Sequence, residues 1–348
     1  MKELKKQVLK DLLMCCSPSG EENDALTIWN KEMKELNLFH YYQDKMGNSG
    51  WSLGDGERKI MISGHIDEIC MSVSYIDKNG YITLCNMAGV DIKCLPGSQV
   101  CLLTDSEVIE GIIQTNPIHI YWKNDKEKVW EWTDMKVDVG AESEEEVKEM
   151  GIRIGCPVVF KRNIYMNLGK HKLTGNALDD KAGTYVTYET LRYFAQHPEQ
   201  LPPDITLIGL ACTGEESGLR GALHASKNIN PDISLDLDVI FANVGLYEEE
   251  EYGDVTLGKG PVIQFGQDKS RRLSEMLRKI CEKNEIPHQL YVSRCGGTNT
   301  DQIQLMAKDC ETTLLSLPLS SMHTPNETMD WRDIENSVKL VIEFVKEV

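Results

Sequence analysis

Two adjacent glutamates, Glu215-Glu216, follow the apolar run Ile205-Thr206-Leu207-Ile208-Gly209-Leu210-Ala211-Cys212 across a Thr213-Gly214 spacer. Two carboxylates at the end of a buried run need a positive partner. A metal ion with a bound water suits them: one glutamate binds the ion and its neighbour, turned the other way, takes the water's proton. A glutamate pair by itself is more often a solvated loop, so its meaning depends on matching ligands elsewhere.

Such ligands occur at four other places. His65-Ile66-Asp67 closes the run Lys59 to Gly64. Here the histidine can hold a metal while Asp67, two residues on and pointing the same way, fixes the ring from behind. Asn176-Ala177-Leu178-Asp179-Asp180-Lys181 precedes a helical pattern. Its bland reading gives the first aspartate to capping and the second to the helix dipole. Asp236 and Asp238 share one face of the otherwise apolar run Leu235 to Phe241, where a buried carboxylate needs a partner. His323 follows the run Thr312 to Leu317, beside Pro325. Together His65, Asp179, Glu216, Asp238 and His323 are five ligands, with Glu215 left over. If one carboxylate is shared, each of two ions receives a histidine, a carboxylate and the bridge, with room for a water between them.

The elements that position these residues read as follows. Short, β-branched apolar runs such as Ile205 to Ala211 are buried strands, and sites in parallel sheets gather beyond the carboxyl ends of strands. Helices are expected over Leu4–Met14, Glu21–Leu36, Asp180–Gln196, Ser270–Asn284 and Trp331–Val345, and strands at Leu38–Tyr42, Lys59–His65, Leu235–Phe241, near Val262 and near Leu314. Between Cys70 and Arg162 the texture changes to short alternating runs (Ser72–Tyr75, Tyr81–Leu84, Val100–Leu103, Val108–Ile113) broken by turn residues. One helix, Glu144–Met150, capped by Ser143, interrupts them. The expected architecture is a mixed-sheet, three-layer α/β/α domain made of residues 1–69 and 164–348, with residues 70–163 inserted as a small β-barrel or sandwich. Apolar segments of the insert, Val108–Ile113 and Ile118–Trp122, leave faces for another subunit to cover.

The chain has 348 residues, 41% hydrophobic and 26% charged, as in ordinary globular proteins. Its net charge of −18, from 55 acids against 37 bases, argues against nucleic acid or an anionic membrane as the main partner. The acidic runs at 142–146 and 248–251 read as a solvated helix face and a loop tip. No apolar core of a signal peptide and no apolar stretch of about 18 residues is present. Eleven cysteines, none in a CxxC pair, fit a reducing compartment, and the expected location is cytoplasmic.

With these residues in place, the chain resembles the glutamyl/deblocking aminopeptidase family of dinuclear metallopeptidases, the tetrahedral aminopeptidase and endoglucanase-M-like group. The resemblance spans nearly the whole sequence. Its landmarks are GHIDE (64–68), VDVGAESEEEV (137–147), NALDDKAG (176–183), CTGEESGLRGA (212–222), LDVIFA (237–242), LGKGP (257–261), GGTNTD (296–301) and MHTPNE (322–327). It implies that His65 and Asp238 hold one ion, Glu216 and His323 the other, and that Asp179 bridges. It further implies that Asp67 orients His65, that Glu215 is the general base, and that the insert is a dimerisation domain. Members often assemble as tetrahedral particles, so the resemblance also implies a homo-oligomer, dimers building to a dodecamer. Four departures stand out: Lys181 where arginine is commoner, Cys70 for glycine, Ser320-Ser321 for Arg-Tyr, and Asn299 for aspartate. None removes a ligand.

The expected activity is metal-dependent removal of N-terminal residues from short peptides, by a two-metal-activated water with Glu215 as base. The expected cofactors are two divalent ions, zinc before cobalt or manganese. The alternatives are a dinuclear amidase acting on N-acyl amino acids, a metal-stabilised scaffold without activity, and a metal-free polysaccharide hydrolase using two carboxylates. A glutamyl preference needs a cation in the substrate pocket, for which Lys259 and Arg294 are candidates.

Overall fold

The computed structural model describes residues 4–117, 119, 130–249, 253–292 and 297–348. They divide into two compact units. Met1–Glu68, Ile164–Met322 and Asn326–Val348 make the first; Ile69–Asn163 with His323–Pro325 make the second. Most of the Ile118–Trp122 segment, and Arg294, lie outside the described residues.

The strands are β1 (Phe39–Gln43), β2 (Ser49–Leu53), β3 (Arg58–His65), β4 (Cys70–Ile76), β5 (Ile82–Ala88) and β6 (Gln99–Leu103). They continue with β7 (Val108–Thr115), β8 (Met135–Asp138), β9 (Pro157–Phe160), β10 (Tyr165–Leu168), β11 (Lys172–Gly175) and β12 (Ile205–Cys212). The last are β13 (Ile233–Phe241), β14 (Val262–Phe265), β15 (Gln289–Val292), β16 (Glu311–Leu319) and β17 (Glu327–Asp330). The helices are α1 (Lys6–Met14), α2 (Asn23–Glu35), α3 (Glu144–Glu149) and α4 (Leu178–Gln196). Then come α5 (Arg220–Ile229), α6 (Arg271–Lys283), α7 (Asn299–Met306) and α8 (Trp331–Glu347).

In the first unit an eight-stranded mixed sheet runs β1-β2-β12-β3-β13-β16-β14-β15. Its middle strands are buried along nearly their whole length, as expected for strands covered on both faces. Helices α1, α2, α4, α6 and α8 pack on one face, with Leu9, Trp29, Tyr185, Leu277 and Phe344 in a common core with Ile62 and Leu207. Helices α5 and α7 cover the other, where Ala225 and Ile303 meet Met61, Ile208 and Leu210. This is the expected three-layer arrangement. A smaller sheet, β10-β11-β17, lies in the same unit. Strand β2 is not evident in the sequence. Its Ser-Gly-Trp-Ser run becomes a strand by pairing antiparallel with β12, Gly209 opposite Trp51, and with β1.

The second unit closes a barrel in the order β4-β5-β8-β7-β6-β9. Alternate side chains, among them Val73, Leu102, Ile113, Val137 and Val158, fill its interior. Helix α3 starts as expected, with the Ser143 hydroxyl accepting the Glu146 N–H. Among the described residues, no helix is long and apolar enough to cross a membrane.

Candidate metal centre

Register brings the first group of site residues together. β12 and β3 pair in parallel with Cys212 opposite His65, and the Ile66 N–H donates to the Cys212 carbonyl at 2.8 Å. The two strands therefore end at one level, and the His65-Ile66-Asp67 and Glu215-Glu216 loops leave side by side. β13 flanks β3 on the other side, with Asp236 opposite Ser63, so Asp238 lies one step nearer the carboxyl edge. Helix α4 supplies Asp179 from across that edge. Its approach is close: the Thr184 hydroxyl donates to the His65 carbonyl at 2.8 Å. A Cβ on Gly64 would stand 2.5 Å from the Thr184 nitrogen.

His65 is the hub. Its Nε2 lies 3.1 Å from Asp179 Oδ1 and 3.9 Å from Glu215 Oε2. Its Nδ1 lies 3.2 Å from the Asp67 carbonyl oxygen and 3.5 Å from the Asp67 carboxylate. In the tautomer whose Nδ1–H donates to that carbonyl, Nε2 is free to ligate an ion. Ligand atoms of His65, Asp179 and Asp238 lie within 4.8 Å of one another, as do those of His65, Glu215 and Glu216. Ions bound at 2.0–2.2 Å by nitrogen and oxygen hold their ligands about 3–4 Å apart, so this spacing suits a metal.

The charges lead to the same conclusion. Burial, then the neighbouring acids, push the Glu216 and Asp238 carboxyls well above the usual carboxylate range. Burial first, and the surrounding carboxylates with it, push Glu215 up to about 7. Burial works to lower the His65 value, but Glu215, Asp179 and Asp67 raise it well above the ordinary imidazole. Several buried acids around one imidazole need added positive charge. A carboxylate and imidazole donor set suits a zinc-, cobalt- or manganese-type ion.

The remaining site residues have distinct places. Asp67 is fully buried, and its two carboxylate oxygens accept the N–H groups of Glu215 and Glu216, each at 3.1 Å. It thus holds the glutamate loop as well as facing His65. Asp180, not Asp179, does the capping: its Oδ1 accepts the Gly183 N–H at 3.0 Å, and Asp179 is turned to His65. The helix accordingly begins with non-helical backbone at both aspartates. His323 belongs to the second unit, with its Nδ1 2.8 Å from the Gly89 carbonyl oxygen. Two supporting residues lie outside the expected set. Glu327, almost fully buried, accepts the Asp179 N–H at 3.2 Å, and Asp236 accepts the Ser63 hydroxyl at 2.6 Å. Asp236 carried a signal, an acid in an apolar strand; Glu327 carried only its place after His323 in the MHTPNE stretch.

Residues 49–340 match the model of the M42 glutamyl aminopeptidase family. The chain belongs to this family. A lysyl aminopeptidase of Pyrococcus furiosus is 32% identical over 309 residues, covering 88% of this chain and 86% of that protein. The TET aminopeptidase of a marine-sediment archaeon of the Thaumarchaeota superposes with a TM-score of 0.93 at 29% identity, over 99% of this chain and 97% of that one. The Pyrococcus horikoshii TET1 peptidase, which can assemble into a tetrahedron or a large octahedral shell, gives 0.86 at 30% identity, over 99% of each chain. This M42 chain is therefore a peptide-bond hydrolase of the metal-dependent aminopeptidase kind.

Proposed function

We propose that this M42 chain removes N-terminal residues from short peptides, with two divalent ions, zinc foremost, and Glu215 as general base. The observation that carries the reading is the convergence of Glu215, Glu216, His65, Asp179 and Asp238 at the carboxyl edge of one sheet. In this reading His65 and Asp238 hold one ion, Glu216 and His323 the other, and Asp179 lies between. When bound, the ions acidify a water and polarise the scissile carbonyl. Asp67 fixes the His65 ring and holds the Glu215 and Glu216 N–H groups. Glu215 takes the water's proton and returns it to the leaving amine. The cluster of acids at this edge also suits the positive α-amine of a peptide N-terminus.

The assembly reading follows the same line. Val108 and Ile112 of the barrel are exposed, and TET1 of Pyrococcus horikoshii can assemble into a tetrahedron or a large octahedral shell. We infer a homo-oligomer with the barrel unit, residues 70–163, as its dimerisation domain, and dimers that build to a dodecamer, working in the cytoplasm. Side-chain preference is left to assay, with both glutamyl and lysyl substrates in the set.

The test strips bound metal, reloads zinc, cobalt or manganese, and assays aminoacyl anilides beside their N-acetylated counterparts. The expected result is metal-restored cleavage of free-amine substrates only. Equal cleavage of acetylated substrates would replace the aminopeptidase reading with the amidase one, and chelator-resistant activity would remove the metal.

A further inference from the structure

The candidate base is held by a second buried carboxylate that comes from a different part of the chain. Glu22, just before α2, is only 4% exposed. Its Oε1 accepts the Gly20 N–H at 2.7 Å and the Gly214 N–H at 3.0 Å. The next two N–H groups, of Glu215 and Glu216, go to the two oxygens of Asp67. Three successive backbone donors are therefore held by two buried carboxylates, from the 15–22 segment and from the loop after β3. The turn they hold is tight: Gly214 has φ +61°, and the Leu219 N–H closes on the Glu215 carbonyl at 2.8 Å.

Glu22 has another task available, and its side chain does not perform it. It occupies the N-cap position of α2, yet makes no side-chain bond to that helix. Its carboxylate is spent on the glutamate turn, although a small neutral side chain would cap the helix without burying a charge. The segment that carries it is itself tied down. The Ser17 N–H donates to Glu68 Oε1 at 2.7 Å, Lys181 Nζ to the Cys15 carbonyl at 3.0 Å, and the Ser19 hydroxyl to Ser217 at 2.9 Å.

We propose that Glu22 is a positioning residue for the reaction: by fixing the Gly214 N–H it sets the angle at which the Glu215 carboxylate is presented. The inference rests on the reading of Glu215 as general base. A shift of the order of 1 Å in a reacting group costs on the order of 10²-fold in rate. Glu22→Ala should therefore lower kcat about 10- to 100-fold, with KM within about twofold, because substrate binding is left intact. Glu22→Gln keeps an acceptor oxygen for Gly214 and should recover most of the loss. Amide hydrogen exchange across 214–216 should quicken in Glu22→Ala, a readout independent of turnover.

The experiment compares metal-loaded Glu22→Ala, Glu22→Gln and Glu215→Gln in the full chain. Wild-type kcat with unchanged exchange in Glu22→Ala overturns the proposal, and so does a Glu22→Gln protein as impaired as Glu22→Ala. If Glu22→Ala does not fold, Glu22→Asp replaces it, since the shortened carboxylate keeps its charge but cannot span to Gly214. Full activity in Glu215→Gln is a separate failure. It removes the base reading and the Glu22 role with it, whatever the exchange data give.

Discussion

Asp67→Asn changes one oxygen into an NH2 group and leaves the volume alone, so its effect isolates the polar work of this residue. Asp67 is fully buried, and each of its oxygens accepts one N–H of the Glu215-Glu216 pair at 3.1 Å. Asparagine has one acceptor oxygen. Its amide nitrogen must then face the other N–H, donor against donor. Losing a hydrogen bond to a charged acceptor removes about 1.5–3 kcal/mol, and an orphaned buried N–H costs about 1–3 kcal/mol, so together roughly 2.5–6 kcal/mol falls on this turn. The turn relieves that cost by moving, and Glu215 moves with it. The same change weakens the group 3.5 Å behind His65 Nδ1. Expected outcomes are a fall in kcat/KM on the order of 10²-fold and a drop of a few °C in unfolding midpoint. Steady-state kinetics on an aminoacyl anilide, elemental analysis and calorimetry read these together. An Asp67→Asn protein with two ions per chain, wild-type kcat and an unchanged midpoint would refute the reasoning.

Three further outcomes follow from the same geometry. Glu215→Gln keeps the volume and loses the basic oxygen, so turnover should fall by ~10²–10⁴ while both ions remain by elemental analysis; full activity in the loaded protein removes Glu215 from the role. Asp179→Ala should lose metal as well as activity, because two cations would face each other without the shared carboxylate; two metals per chain in that variant contradict the bridge. Gly64→Ala should destabilise more than Gly209→Ala. The new methyl on residue 64 meets the Thr184 backbone nitrogen at 2.5 Å, whereas that on 209 meets the movable end of Leu191 at 2.2 Å. Overpacking costs about 1–3 kcal/mol and is relieved where a side chain can turn, so denaturant midpoints that reverse this order refute the explanation.

The architecture was legible where local pattern and burial agree. β3, β12 and β13 read as largely apolar runs because both faces of each are covered, and the candidate site residues stood out because chemistry-bearing residues interrupt or end those runs. Strand β2 was not legible: Ser49-Gly50-Trp51 acquires its conformation from its neighbours in the sheet. Local pattern alone gave Asp179 to helix capping, and the wider set of acids and histidines gave it a place at the site. In the structure Asp180 accepts the Gly183 N–H and Asp179 faces His65, where α4 comes close to the end of β3.

The supporting acids show the same limit at longer range. Glu22 lies 192 residues from Gly214, and Glu327 148 residues from Asp179, whose N–H groups they hold at the site, so no local pattern can reveal either role. Their burial nevertheless has a common cause. A strand end that presents two acids in succession leaves a run of backbone N–H groups without sheet partners, and these need acceptors. Asp67 and Glu22 supply them to the glutamate turn, and Glu327 does so for Asp179. The carboxylates that surround the site are therefore of two kinds. Asp179, Asp238, Glu215 and Glu216 form one set, which an ion can neutralise; backbone donors neutralise the other. The second kind is the reason the first can be held at fixed angles.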